Sequence, residues 1–177
     1  MTEARLRRII GYYLERYVTT TTHLKRLMRR KIAKACAHHG DDPAEAHAWL
    51  DAEVERLVSV GVLNDLAYAR DRARTLVRRG NGPAKVRAKL AAKGLPAELI
   101  DDALASAAEE LGDPTWRAAL VFARKRRLGP FGPPVDRDGR RKQLAKLGRG
   151  GFPYDVAQRV LELDEQGAEE ALDALQA

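Results

Sequence analysis

The sequence predicts an all-α protein, an elongated tandem array of three three-helix repeats with about nine helices. Three observations carry that expectation: a helix-forming composition, a charge wave with three periods, and a glycine–apolar–proline corner that occurs twice, 57 residues apart. Ala, Leu, Arg, Lys and Glu dominate the 177 residues, and no stretch alternates apolar and polar residues for long enough to suggest a sheet. Residues 1–40 carry ten Lys/Arg and two Asp/Glu, a net +8, and residues 41–66 carry a net −6. The alternation continues with +8 over 67–94, −6 over 95–115, +9 over 116–150 and −6 over 151–177. Such a wave marks internal repetition. It divides the chain into a divergent first repeat at 1–63, a second at 64–112 and a third at 113–177.

In the first repeat, Leu6, Ile9, Ile10, Tyr13 and Leu14 recur at helical spacing. The β-branched run Thr19 to Thr22 caps a second helix lined by Leu24, Leu27, Met28 and Ile32. After His38-His39-Gly40-Asp41-Asp42-Pro43, a long helix carries Trp49, Leu50, Val54, Leu57 and Val58, and Gly61 ends it.

The second repeat is the clearest. Asn64 or Asp65 can cap a helix with Leu66, Ala69, Ala73, Leu76 and Val77 on one face, which stops at Gly80-Asn81-Gly82. Pro83 suits the first turn of the next helix, where its missing N–H costs nothing, and Val86 and Leu90 face inward. Gly94 ends that helix. Pro96 opens a third with Leu99, Ile100, Ala103, Leu104 and Ala107.

The segment Leu90 to Leu99 has a counterpart in Leu147 to Val156: leucine, three residues, glycine, apolar, proline, one residue, acid, apolar. The glycine supplies the left-handed conformation that terminates a helix, and the apolar residue plugs the corner. The proline starts the next helix, and the acid lies near its positive end. The third repeat begins near Asp113-Pro114, with Trp116, Ala119, Leu120 and Ala123 inward. Its first two helices flank Leu128 to Val135, a Pro/Gly-rich stretch within a long loop at 128–138 that cannot be helical. Each trio is small, so neighbours should lean on one another.

Enzyme chemistry finds little support. Ser59 and Ser106 are the only serines, and neither lies in a nucleophile elbow. Gly80-Asn81-Gly82 lacks the spacing and the Lys-Ser/Thr of a phosphate loop. His38, His39, Asp41, Asp42 and His47 match no strong metal template and read as a polar loop near a helix cap. No catalytic residue, metal or cofactor is expected. Cys36, the only cysteine, excludes an intrachain disulfide and reads as a buried small side chain. The N-terminal Met-Thr-Glu-Ala-Arg-Leu-Arg-Arg lacks a signal peptide's apolar core, and no apolar run approaches the roughly 18 to 20 residues that cross a bilayer. A cytoplasmic monomer without a membrane partner is expected.

The net charge of +7 points to a polyanionic partner. Arg70, Arg74 and Arg78 lie at i, i+4 and i+8, and Lys85, Lys89 and Lys93 repeat that spacing. Two such stripes can track phosphates; equally, they can balance the acidic helix beside them. The runs Arg124 to Arg127 and Arg140 to Lys142 extend the pattern, as do Lys25-Arg26 and Arg29 to Lys31. The candidate contacts are Arg70, Arg74, Arg78, Lys85, Lys89, Lys93, Arg124, Arg127, Arg141 and Lys142. The acidic third helices either pair with these basic helices or meet a basic partner. Trp49, Trp116, Phe122 and Phe152 occupy apolar positions and read as core, while Tyr12, Tyr13, Tyr17 and Tyr68 stay open. No platform interleaves aromatic and basic residues, which favours a partner that already holds DNA.

Gly61 to Arg70, with the sequence Gly-Val-Leu-Asn-Asp-Leu-Ala-Tyr-Ala-Arg, resembles the "G-Y-L-D-D-x-x-F-A-R" signature of the RecX family. Gly82-Pro83-Ala84-Lys85-Val86, Leu90 and Lys93-Gly94-Leu95 are similar to its "K-G-P-x-x-I…L-x-x-K-G-I". Gly150 to Val156 is similar to its "R-G-F-x-Y-D-x-I". Asn64 and Tyr68 depart mildly from the signature, residues 30–48 are longer than a typical first repeat, and 129–136 are richer in Pro and Gly. The resemblance implies three tandem three-helix repeats and a non-enzymatic regulator of the RecA recombinase. Its implied partner is the RecA nucleoprotein filament, bound along the groove with the single-stranded-DNA phosphates inside it. The implied effect is to restrain filament growth, strand exchange, ATP hydrolysis and the co-protease activity of the SOS response. A helix-turn-helix protein selective for duplex sequence and a protein-only helical adaptor are the alternatives.

Overall fold

The computed structural model describes residues 1–39 and 42–174, and every regular element among them is helical. The first repeat comprises α1 (Glu3–Leu14), α2 (Thr21–His39) and α3 (Ala44–Ser59). The second comprises α4 (Asp65–Arg78), α5 (Pro83–Ala91) and α6 (Ala97–Leu111). The third has α7 (Pro114–Arg126), α8 (Arg137–Arg149), α9 (Tyr154–Glu162) and α10 (Glu165–Asp173).

The described residues thus form ten α-helices where the sequence predicts about nine. The last one arises because the chain turns extended at Leu163, where ψ is 146°. Asp164 then caps a new helix, its carboxylate accepting from the Gly167 N–H at 2.8 Å. Ala168 and Leu172 bury the inner face of α10, which packs on α7. A second difference lies in the loop expected to be non-helical. Gly129–Phe131 forms a single 3-10 turn, anchored by the buried Leu128 and by Gln143, which accepts from the Gly129 N–H at 3.1 Å.

Short polar side chains start most helices. Thr2, Asn64, Asp113 and Asp136 each accept from a backbone N–H three residues on. Thr20 does the same for α2 through the His23 N–H. Asp65, the other cap candidate, instead accepts from the Thr21 N–H at 2.8 Å and the Thr21 hydroxyl at 2.6 Å, tying the second repeat to the first. The two corners form as their residue types require. Gly94 and Gly151 take φ of 80° and 88°, and Leu95 and Phe152 are buried behind them. Pro96 and Pro153 stand one residue before the helices they open.

Apolar burial falls into two clusters. Leu6 and Ile10 of α1, Leu24, Met28 and Ile32 of α2, and Leu50, Val54 and Leu57 of α3 make the first. Cys36 is buried in it. The second runs continuously through repeats two and three, from Ala69, Ala73 and Leu76 on α4 to Ala119 and Leu120 on α7 and Val160 on α9. Its facing alanines let α4 and α7 approach closely. Fully burying each leucine contributes about 1.5–3 kcal/mol. Val58, expected on the inner stripe of α3, is 46% exposed. It lies about 100° around the helix from Leu57, which already faces the core.

Both corners dock at corresponding places, one through backbone donors and the other through a side-chain hydroxyl. The Gly82 N–H, just before α5, donates to the Gly150 carbonyl at 3.0 Å, and the Ala84 N–H donates to the Gly151 carbonyl at 3.3 Å. The Thr20 hydroxyl, just before α2, donates to the Lys93 carbonyl at 2.6 Å. Each corner therefore seats on the N-terminus of the preceding repeat's second helix, where backbone N–H groups lack intrahelical partners. A methyl group on Gly82 would strike the Gly151 backbone, so this close approach requires glycine.

Candidate nucleic-acid interface

The ten candidate cations separate by what faces them. Arg70 makes a two-pronged pair with Asp102 of α6, Nε to Oδ2 at 2.8 Å and Nη2 to Oδ1 at 3.1 Å. This hydrogen bonding holds the Asp102 carboxyl below its ordinary range. Arg74 reaches Glu110 at 2.6 Å and also pairs with Asp71 on its own helix. Arg78 reaches the other oxygen of Glu110 at 3.2 Å. The packing of α4 on α6 thus brings the whole first stripe against the acidic helix of its own repeat.

The second stripe has a different setting. Among the described residues, no carboxylate forms an ion pair with Lys85, Lys89 or Lys93. The Lys89 ammonium donates to the Asn81 side chain at 3.0 Å. Burial, followed by the positive charges of Lys85, Arg72 and Arg79, pushes its pKa down. Lys93 departs from the expected stripe because α5 ends at Ala91. It sits in the corner, with Nζ 3.4 Å from the His23 ring on α2. Burial and then Lys93, Arg26 and Arg30 lower the His23 pKa. Positive charge thus gathers at both places, and among the described residues no carboxylate pairs with Lys89 or Lys93 there.

The seam between repeats two and three adds a concavity. Lys85, Arg126, Lys146 and Arg149 line a cavity of about 290 Å³ together with Phe122 and Gly150. Among the described residues, no acidic side chain lines it. It forms because the α8–α9 corner seats on α5, bringing the last turn of α8 beside Lys85. Phe122 packs edge-on to the corner plug Phe152 at 5.4 Å, and the Arg126 guanidinium lies 5.9 Å from the Phe122 ring centroid.

The remaining candidates lie elsewhere. Arg124 and Arg127 line a cavity of about 410 Å³ with Glu165 and Glu169 of α10, so acids of the same repeat face them. Arg141 is highly exposed, 3.9 Å from Asp138, and Lys142 is exposed on α8. Sequence reasoning passed over Lys146 and Arg149 at the seam. The signal was the 57-residue offset, which maps Lys85 onto Lys142 and Lys89 onto Lys146. Of the residues weighed as a metal cluster, the His39 side chain and Asp41 lie outside the described residues, and Asp42 accepts from the Ala44 N–H at 2.9 Å. No helix among the described residues is long and apolar enough to cross a membrane.

Fold and surface together define an all-helical repeat protein in which, among the described residues, Lys85, Lys89 and Lys93 and the seam residues Lys146 and Arg149 form no ion pair with a carboxylate. Comparison with known proteins is more specific. The model of "RecX, second three-helix domain" matches residues 64–104. The regulatory protein RecX of Myxococcus xanthus is 38% identical over 153 residues, which span 85% of this chain and 81% of that protein. The regulatory protein RecX of Halorhodospira halophila is 33% identical over 143 residues, 78% of this chain and 83% of that one. The crystal structure of RecX from Lactobacillus salivarius shares the fold, with a TM-score of 0.66 over 97% of both chains at 19% identity. The chain belongs to the RecX family.

Proposed function

We propose that this protein regulates the RecA recombinase by lying along the RecA–single-stranded-DNA filament with its unpaired basic surface toward the phosphates. The observation that carries this reading is the seam pocket of Lys85, Arg126, Lys146 and Arg149, cationic with no acid in its lining among the described residues. Lys89 and the Lys93–His23 corner continue the unpaired positive charge along the neighbouring helices. Phosphate recognition needs such charge without a built-in competitor, because each contact gains from counterion release. Arg141 and Lys142 extend this contact on α8. Arg70, Arg74, Arg78, Arg124 and Arg127 contribute less, since phosphates would have to compete with carboxylates already beside them. Relatives named regulatory proteins support a binding role rather than catalysis. A chain occupying the filament groove restrains filament growth and strand exchange, and the co-protease activity with them.

The test is DNA-dependent ATP hydrolysis by RecA with increasing amounts of this protein, alongside filament binding by fluorescence anisotropy. The expected result is falling hydrolysis at substoichiometric ratios. No change at any ratio, with no binding to the filament, would sink the proposal.

A further inference from the structure

A groove opens where the first repeat meets the second. Its walls are the segment that follows α1, with Tyr17, Val18 and Thr19, and on the other side the α3–α4 linker with Val62 and α4 with Tyr68 and Arg72. The cavity is about 470 Å³. Val18 is 87% exposed and Val62 57%, far more than aliphatic side chains that complete a core. Among the described residues, Arg72 has no carboxylate partner, whereas Asp71 beside it is taken by Arg74. Thr19 is buried at the groove wall, and its hydroxyl has no hydrogen-bond partner among the described residues. A buried hydroxyl left unpaired is costly, and rotation toward an incoming peptide group would relieve it.

We infer that this groove receives a segment of a protein partner in which an apolar side chain stands next to a carboxylate. The inference rests on the function proposed above and assigns this surface to the recombinase protein, leaving the basic seam to the DNA. Val18 and Val62 can bury methyl and methylene groups, and Tyr17 and Tyr68 beside them make a mixed aliphatic and aromatic lining of the kind that covers polypeptide side chains. An extended polypeptide supplies the peptide group that Thr19 lacks. The unpaired Arg72 at the rim selects a segment that brings negative charge.

The experiment places a photoreactive probe in the groove. Val18→Cys, labelled with benzophenone maleimide, is bound to RecA–single-stranded-DNA filaments and irradiated; Cys36, buried in the first core, stays unlabelled. The expected adduct is on a RecA protomer, at a segment pairing an apolar with an acidic residue. An adduct on the DNA, or on a second copy of this chain, overturns the inference. In parallel, Val18→Asp should lose at least tenfold in filament affinity while its affinity for naked single-stranded DNA stays unchanged. Because Val18 is a surface side chain, the helical circular dichroism should not move. Wild-type affinity in Val18→Asp overturns the inference alone. Failure of the wild-type protein to bind filaments overturns the proposed function and this inference with it.

Discussion

Two basic stripes lie side by side in the second repeat, and the same charge spacing has two different outcomes. On α4, Arg70, Arg74 and Arg78 meet Asp102 and Glu110 of α6 and are neutralised within the repeat. On α5, Lys85 and Lys89 meet other cations, and α8 of the next repeat adds Lys146 and Arg149 to the same surface. Cation spacing along a helix therefore does not define a polyanion site. What defines it is whether a carboxylate of a neighbouring helix reaches the stripe: Asp101 of α6 pairs with Arg87 on α5, but among the described residues none pairs with Lys85 or Lys89. The stripes also differ in geometry: α4 packs between α6 and α7, while α5 lies at the seam where a corner of the next repeat docks.

The largest expected effect follows from the α5 side. Reversing Lys85 and Lys146 together to Glu should weaken filament binding by more than tenfold at moderate salt. It should also flatten the salt dependence, since each lost single-strand phosphate contact removes about 0.7 from the slope of log affinity against log salt. Titrations at several salt concentrations measure both quantities. An unchanged slope would remove the seam pocket from the interface. Neither side chain is in the apolar core, so thermal unfolding should stay close to wild type.

The α4 stripe should respond in the opposite way. Arg70→Glu with Arg74→Glu places new negative charge against Asp102 and Glu110. The expected result is a clear fall in melting temperature with less than a threefold loss of filament affinity. These pairs are partly exposed, so the loss of attraction alone is modest, and the new repulsion adds to it. A binding loss as large as that from the α5 substitutions would mean that the arginines leave α6 to reach phosphates. The distinction between the stripes would then fall.

The difference between the stripes also explains what the sequence could reveal. Helix periodicity and the Gly–apolar–Pro corners are local patterns, so Gly94-Leu95-Pro96 and Gly151-Phe152-Pro153 are legible in the order of residues alone. The break at Leu163 is hidden there because no Gly or Pro marks it, and the apolar run through Leu161 and Leu163 continues across it. The pairing of Arg70 with Asp102 joins residues 32 apart, and that of Arg74 with Glu110 joins residues 36 apart. Spacing within one helix does not encode such partners. The seam pocket is longer-ranged still, since it needs the α8–α9 corner seated on α5. The sequence raises both readings of the basic stripes, and packing assigns one to each helix.

The smallest expected effect concerns His23, where the unpaired surface reaches the first repeat. Its Nδ1 lies 2.9 Å from Arg26 and its Nε2 3.4 Å from Lys93. A neutral imidazole has one acceptor nitrogen, so both cations cannot be satisfied at once. Burial and these charges, with Arg30, put its pKa below the ordinary 6.5. A depressed histidine pKa means that the unfolded chain binds the proton more readily. Its contribution to stability is therefore full above about 6.5 and is lost as the pH falls from there toward the folded value. A bound phosphate reverses the local balance by favouring the imidazolium, so binding takes up a proton. Filament affinity should tighten as the pH falls toward the folded pKa, and His23→Gln should abolish that dependence. The check is the imidazole titration by NMR, with and without a short single-stranded oligonucleotide. The oligonucleotide should raise the midpoint. An identical midpoint in both samples would restrict the anion-binding surface to α5 and the seam with α8.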